Sequence, residues 1–196
     1  MKKAKVLISL MTLFVLLSVN SVEAYPGYNS TNARDYAYTY YKDYNPNYNS
    51  YNSDCANFVS QCIHAGGVAF TDQWYMKRKT FLGIHTGWDT TNKWTVAWDL
   101  ASYIHSQGWH TSTGGSYDLS EAPRHNTSIK IGAVVLYKFN HSHGGYHVAL
   151  VTQNNWLQGT NITQHTTDRK DVAYNYDGIL TTEQQKLDHW QYFNMN

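Results

Sequence analysis

The sequence predicts an α+β fold in which N-terminal helices pack on a small antiparallel sheet. Two observations lead to this prediction. Within residues 33–106 apolar residues recur at helical spacing, whereas residues 129–176 contain short apolar runs separated by turns. The two patterns do not alternate as they would in a doubly wound protein, so a parallel sheet is not expected.

Three helices are predicted, over residues 33–42, 53–65 and 96–106. The second has the clearest pattern, because a Ser-Asp pair can cap its start and Gly66-Gly67 can end it. Its buried face should consist of the apolar residues Phe58, Val59, Cys62 and Ile63.

Strands are predicted over residues 129–139, 146–152 and 161–167, with a short additional strand over 172–176. A turn around residues 154–159 should join the second strand to the third as a hairpin. We expect residues 74–94 and 109–126 to be irregular, and residues 179–193 have no clear pattern.

The first 24 residues have the features of a secretory signal. Three lysines precede a short apolar run over residues 6–19, and Val22-Glu23-Ala24 is an A-x-A-like cleavage site. The run is shorter than the roughly 20 residues that span a bilayer, so no stable membrane insertion is expected after cleavage. We therefore expect a secreted protein with one domain over residues 25–196, of which 25–32 are flexible.

Composition excludes several classes of protein. Lys+Arg (15) and Asp+Glu (14) nearly cancel and form no long runs, which argues against a nucleic-acid partner. An aromatic content of 15% with only 3 prolines argues against a disordered tail. Two cysteines are too few for a disulfide scaffold, and the length suffices for a packed core. We expect a monomer.

The two cysteines lie seven residues apart on one predicted helix. Helical geometry separates their Cα atoms by about 10.5 Å, whereas a disulfide requires roughly 4.4–6.8 Å. If this segment is a helix, both thiols are free. Cys62 belongs to the apolar face, but Cys55 lies at the helix N-terminus, where the amide groups favour a thiolate. Cys55 is therefore the candidate nucleophile.

His147 is the candidate general base, because it follows a Gly-rich turn at the start of an apolar strand. Folding the predicted hairpin brings residues 163–168 opposite residues 147–151. A polar side chain there could orient the imidazole. His165 is the first candidate for this role, Asp168 the second and Asn155 the third.

These motifs resemble the bacterial putative amidase domain family. The resemblance is carried in order by YNP at 44–46, DCANFVSQC at 54–62, GG at 66–67, WY at 74–75, GYHVALV at 145–151 and HTTDR at 165–169. That family is similar to the papain-like cysteine amidases and peptidases of cell walls, the CHAP and NlpC groups. The chain departs from such enzymes at Ala133, where Asp is frequent, and at Ala56, where Thr is frequent.

The resemblance implies a papain-like fold with Cys55 as nucleophile, His147 as base and His165 as orienting group. A Cys55 thiolate paired with protonated His147 would attack an amide carbonyl, and water would hydrolyse the thioester. Backbone N–H groups at the helix start would hold the oxyanion, with help from Asn49, Tyr51 or Asn52. The expected substrate is a peptide or peptidoglycan amide, and no cofactor or metal is required.

Two other functions fit parts of the sequence. His141, His143 and His147 have a spacing that could bind zinc, although no HExxH or acidic ligand motif accompanies them. A non-catalytic wall- or glycan-binding module could use the Tyr/Asn-rich segment before Asn52. Such a module could also present a groove of aromatic residues, namely Trp74, Trp88, Trp94 and Trp109.

Overall fold

A computed structural model describes residues 25–116, 123–139, 145–175 and 187–195 of the chain. Within these residues the fold is α+β, with the helices before the main antiparallel sheet, as the sequence predicts. The predicted signal segment, residues 1–24, lies outside the described residues, and so do His141 and His143.

The three predicted helices are confirmed, with boundaries that differ by a few residues. They are α1 (Ser30–Tyr40), α2 (Cys55–Ala65) and α4 (Ala97–Ser106), and a single turn, α3 (Asn92–Thr95), precedes the last of them. The side chain of Asn29 caps α1 by accepting a hydrogen bond from the N–H of Asn32.

Residues 74–94, which we expected to be irregular, contain a separate hairpin of β1 (Met76–Phe81) and β2 (Ile84–Thr90). The main sheet has six strands in the order β3-β8-β4-β5-β6-β7, and its described pairings are all antiparallel. These strands are β3 (Ser112–Ser116), β4 (Val134–Phe139), β5 (Gly145–Asn155), β6 (Gly159–Gln164), β7 (Arg169–Ala173) and β8 (Leu187–Asn194). The sequence pattern did not predict β3, because this strand is rich in Gly and Ser. It did not predict β8 either, because residues 179–193 have no clear pattern.

The two faces of the sheet carry separate groups of buried residues. Val148 and Leu150 of β5 pack with α2 and α4 on one face. Ala149 and Val151, which alternate with them, pack with Ile162 of β6 on the other face. The period-two alternation of a strand therefore decides whether a β5 side chain lies on the helical face or the opposite one.

Three of the four tryptophans considered for a groove belong to the core. Trp74 and Trp94 are fully buried and Trp109 is 6% exposed, so the groove interpretation is wrong for these three. The segment we expected to be flexible, residues 25–32, also makes packing contacts. Tyr25 contacts Trp109 edge-on, and the Tyr28 hydroxyl donates a hydrogen bond to the carbonyl of Gly132.

In the part of the chain that the structure describes, no helix has the length and apolar character needed to cross a bilayer.

Candidate active site

The candidate site is built around the N-terminus of α2. Asp54 occupies the N-cap position, but its side chain does not bond to the helix N–H groups. Its Oδ1 atom accepts hydrogen bonds instead from the N–H of Tyr51, at 2.9 Å, and from Nδ2 of Asn57, at 2.8 Å. The N–H groups of the first turn are therefore left without a side-chain cap, in the place where a helix best stabilises negative charge.

Cys55 is the first residue of α2 and is 8% exposed. Burial raises the pKa of its thiol, and the main-chain N–H groups of Val148, Ala56 and Cys55 itself act against this effect. Cys62 lies in the core with no exposed surface, and burial raises the pKa of its thiol well above the usual value. Both cysteines are free and both lie on one helix, as the helical interpretation required.

The N–H of Val148 is available to the thiol because of the way β5 pairs with β6. Pairing between these strands reaches Leu150, which lies opposite Thr163, and the register gives no β6 partner to residues 147–149. On its other side, this part of β5 pairs with β4. The open edge of β5 thus meets the start of α2 beside Cys55.

His147 lies on this part of β5 and is 6% exposed. Its Nε2 atom is 3.0 Å from Oε1 of Gln164, and the Gln164 amide nitrogen donates to the carbonyl of Thr167 at 3.1 Å. Since the amide oxygen can only accept, Nε2 carries the proton and Nδ1 retains its lone pair. Burial lowers the pKa of His147 to about 4, and the hydrogen bond with Gln164 acts in the opposite direction. The imidazole is therefore neutral at pH 7.

Cys55 and His147 adjoin each other through the strand backbone. The thiol lies close enough to the N–H of Val148, the next residue after His147, for this group to lower the pKa of the thiol. Among the described residues, the hydrogen bonds of His147 include the one to Gln164 and none to the thiol. Catalytic hydrogen bonds in ligand-free enzymes are often long and tighten only when substrate is bound.

His165 was predicted to orient His147, but the structure gives it different partners. Its Nδ1 atom is 2.6 Å from Oδ2 of Asp54, and its Nε2 atom donates to the carbonyl of Tyr40 at 2.8 Å. The ring lies between Phe58 and Tyr44, at centroid distances of 4.0 and 4.2 Å. Both ring nitrogens are thus occupied, and the polar group that contacts His147 is Gln164.

The other predicted polar residues are not bonded to the imidazole of His147. Asp168 is exposed and accepts a hydrogen bond from the hydroxyl of Tyr44 at 3.1 Å. Asn49 is half-buried, and its carbonyl accepts from Nδ2 of Asn57 at 2.8 Å. Asn52 is exposed in the loop before α2.

Two residues of this site were missed as functional candidates at the level of sequence. The sequence pattern predicts Asp54 only as a helix cap, although a carboxylate beside a candidate nucleophile can also bond to a nearby histidine. Gln164 directly precedes His165, and the sequence pattern gives no reason to prefer the amide over the histidine. The face of the sheet on which each side chain lies distinguishes these two neighbours.

The described residues contain no group of three or more His, Cys, Asp or Glu side chains that could hold a metal ion. Two of the three ligands of the predicted zinc site, His141 and His143, lie outside the described residues. The zinc site therefore stays a prediction.

Comparisons with known proteins identify the family. The chain matches the family described as "Putative amidase domain" over residues 27–190. It is 30% identical to the uncharacterized protein YhbB of Bacillus subtilis (strain 168) over 83 residues, which are 39% of this chain and 24% of YhbB. It is 27% identical to the uncharacterized protein YjcM of the same strain over 168 residues, or 82% of this chain and 35% of YjcM.

The chain thus corresponds to a minor part of the length of either relative. No solved structure matches it. The family match includes α2, the hairpin of β5 and β6 and every residue of the candidate site. The chain therefore belongs to the putative amidase domain family.

Proposed function

We propose that the protein hydrolyses an amide bond of cell-wall peptidoglycan, with Cys55 as nucleophile, His147 as general base and Gln164 as the group that orients His147. One observation carries this proposal. A thiol at the first residue of a helix lies close to the N–H of Val148, and the residue before Val148 on β5 is His147, which is buried and neutral and keeps the lone pair of its Nδ1. Nucleophilic catalysis requires a thiol within reach of a base, and a third group that orients the base.

The reaction begins from a neutral thiol and a neutral imidazole, because burial disfavours the charged form of each group. Nδ1 of His147 accepts the proton of the Cys55 thiol as the sulfur attacks the amide carbonyl. The imidazolium then gives this proton to the leaving amine, which leaves a thioester on Cys55. Water, deprotonated by His147, hydrolyses the thioester and regenerates the thiol.

Negative charge develops on the carbonyl oxygen during both steps. The uncapped N–H groups at the start of α2 are suited to stabilise it, since they point out of the helix end at the nucleophile. Asn49 and Asn52 precede this turn in the same loop and are candidates for an additional donor.

His165 and Asp54 have a positioning role in this proposal. Asp54 immediately precedes Cys55, and it joins the loop at Tyr51 to the turn after β6 at His165. The Asp54 N–H also donates to Oγ1 of Thr166 at 2.8 Å. These bonds fix the backbone just before the nucleophile without touching the substrate.

The substrate class rests on the resemblance to papain-like wall hydrolases of the CHAP and NlpC groups, together with the predicted secretory signal. In support of this substrate class, the domain is α+β, with a cysteine at a helix start and a histidine on an antiparallel strand, as the resemblance implies. We propose on the same grounds that the protein acts outside the cell, and we expect it to act as a monomer.

Hydrolysis of purified peptidoglycan tests the proposal. The protein would be recovered from the medium of a secreting bacterial host, and its N-terminus read from the intact mass. We expect wild type and Cys62→Ala to release fragments, and Cys55→Ala to release none. Iodoacetamide should inactivate wild type, whereas EDTA should not. Mass spectrometry of the fragments would identify the bond that is cleaved.

Other outcomes would overturn the proposal. Inactivation by EDTA together with activity of Cys55→Ala would favour the zinc site of His141, His143 and His147. Binding to the wall without hydrolysis, unchanged in Cys55→Ala, would favour a binding module.

A further inference from the structure

The hairpin of β1 and β2 projects from the domain with its outer half uncovered. All residues from 77 to 86 are exposed, and beyond Arg78 neither face of the hairpin packs on the domain. Phe81 and Ile84 are each 68% exposed and Leu82 is 86% exposed. An isolated two-stranded hairpin is at best marginally stable in water. Three large apolar side chains at its tip therefore point to a partner that covers them.

The turn supports this interpretation through its backbone. Leu82 has a φ of 50° and Gly83 a φ of 80°, and the two residues connect Phe81 to its partner Ile84. Positive φ at both central positions is typical of a type I′ turn, which favours Asn-Gly. Leucine is disfavoured in the left-handed region, so Leu82 weakens the turn that it occupies. Its side chain has no role in the core that would explain its presence.

Basic residues lie directly behind the apolar tip. Alternation along β1 puts Lys77, Lys79 and Phe81 on one face, together with Ile84 of β2. Lys79 is two residues from Phe81, or about 7 Å along the strand. Lys77 lies over the ring of Tyr75 at 4.7 Å and opposite Asp89, the acidic residue of the hairpin.

Arg78 lies on the other face of β1. Its guanidinium donates to the carbonyl of Pro46 at 2.7 Å and lies 5.3 Å from the ring centroid of Trp88. These contacts hold the base of the hairpin against the loop before α2. The tip is thereby held away from the domain, with its apolar side chains outermost and its lysines behind them.

We propose that this hairpin docks the protein on the surface of an anionic lipid bilayer. Apolar side chains of interfacial elements reach about 5–10 Å into the boundary between headgroups and acyl chains. With Phe81, Leu82 and Ile84 at that depth, Lys79 lies at the level of the lipid phosphates. This contact is peripheral and needs no membrane-spanning segment. It does not depend on the proposed function, since no residue of the candidate site takes part.

The charges favour a lipid surface over the other possible occupants. A hydrated polyanion such as a wall polymer would attract the lysines but would leave the apolar tip in water. A second copy of the hairpin could cover the tip, but pairing the same faces would bring Lys77 and Lys79 of the two chains together. An anionic bilayer satisfies both the apolar tip and the cationic strand.

Co-sedimentation with phosphatidylglycerol vesicles tests the proposal, with phosphatidylcholine vesicles as the neutral comparison. The protein is again the form exported by a secreting host, with its N-terminus determined. We expect wild type to prefer the anionic vesicles, and Lys79→Gln to bind them about fivefold more weakly. Leu82→Asn is the most informative variant. It suits the positive φ, so its melting temperature should be unchanged or higher, while its vesicle affinity should fall at least fivefold.

A matched control comes from the turn between β5 and β6, where Trp156 and Leu157 are also exposed, at 82% and 67%. The neighbouring strand residues there are the uncharged Gln153, Asn154 and Asn155. A variant with Trp156→Ser and Leu157→Ser should bind vesicles as wild type does. A triple variant with Phe81→Ser, Leu82→Asn and Ile84→Thr should lose binding.

Three results would overturn the proposal. Wild type could fail to bind anionic vesicles, or the triple variant could bind them as well as wild type. Alternatively, sedimentation equilibrium could show a dimer that the triple variant dissociates, which would assign the hairpin to contact between two copies of the chain.

Discussion

Two buried histidines lie near Cys55, the proposed nucleophile, and their partners give them opposite chemical properties. His147 is 6% exposed and His165 is 2% exposed. The first bonds through one nitrogen to an uncharged amide. The second bonds through both nitrogens, to a carboxylate and to a carbonyl. Burial alone does not distinguish a base from a structural histidine, whereas a ring nitrogen that keeps its lone pair does.

The comparison extends to the protons that the two rings hold. Nε2 of His165 must carry a proton, since the Tyr40 carbonyl can only accept. A further proton lies between its Nδ1 and Oδ2 of Asp54, which makes the pair one hydrogen-bonded unit. His147 has no carboxylate partner among the described residues, and burial keeps it neutral. The first arrangement stabilises the fold and the second is suited to accept a proton.

Replacing His147 should lower activity, whereas replacing His165 should lower stability. The loss of activity in the His147 variant should be the largest effect of all the substitutions considered. His147→Gln removes the proposed base, so kcat/KM should fall about 10²–10⁴-fold while the melting temperature changes little. His165→Gln should instead lower the melting temperature by several degrees. Peptidoglycan hydrolysis and calorimetry on the two variants measure both effects. An inactive but stable His165→Gln variant beside an active His147→Gln variant would reverse our assignment of the two residues.

Replacing Asp54, the carboxylate that is hydrogen-bonded to His165, should have the next largest effect. Asp54→Ala leaves His165, the N–H of Tyr51 and Nδ2 of Asn57 without their acceptor. Removing one member of a buried pair costs about 3–5 kcal/mol of the free energy of unfolding. Urea denaturation measures this loss.

Asp54→Asn is the matched control for that change. The amide retains an oxygen for Tyr51 and Asn57, so the loss should be smaller than that of Asp54→Ala. Equal stability of Asp54→Ala and wild type would contradict a structural role for the pair.

The error about His165 has an identifiable physical cause, which is a bulge in β5. The hairpin begins with Asn155 opposite Gly159, and continuing that register would put His165 on the same face as His147. The register shifts by one residue between Val151 and Gln153, however, and Val151 then lies opposite Ile162. A shift of one residue exchanges the two faces of a strand. Gln164 therefore lies on the face of His147, and His165 lies on the helical face.

This bulge could not be predicted from the sequence, because Thr152 has no feature that distinguishes it from its neighbours. In the structure it bonds to Thr163 and Asp171, which are contacts between strands. By contrast, α2 was predictable because its period, cap position and glycine stop are local features of the sequence. The strands β3 and β8 could not be predicted, since their own patterns are weak and their paired residues lie 74 (Ser116 and Trp190) to 82 (Ser112 and Asn194) positions apart.

The acid stability of the protein should depend on His147 in a definite direction. Its pKa is about 4 in the native state and 6.5 in the unfolded chain. Above pH 6.5 the imidazole is neutral in both states, so its contribution to stability is constant. Between pH 6.5 and 4 only the unfolded chain binds the proton, and stability falls by about 1.4 kcal/mol per pH unit, or about 3 kcal/mol in total.

Urea denaturation at pH 7, 5.5 and 4.5 measures this loss in wild type and in His147→Gln. The difference between the two isolates His147, because the other titrating groups are common to both. Parallel curves for the two proteins would show that His147 is not held neutral in the native state.

The smallest predicted effect is a shift of the pH–rate profile, and it tests Gln164 directly. Gln164→Glu places a carboxylate at Nε2 of His147, which favours the imidazolium and should raise its pKa by about one unit. The acid limb of kcat/KM should move up by the same amount, since the base acts in its neutral form. Gln164→Ala removes a hydrogen bond that raises the pKa of His147, so it should move this limb to lower pH. If the two variants shifted the limb in the same direction, the ionisation that controls the rate would not be that of His147.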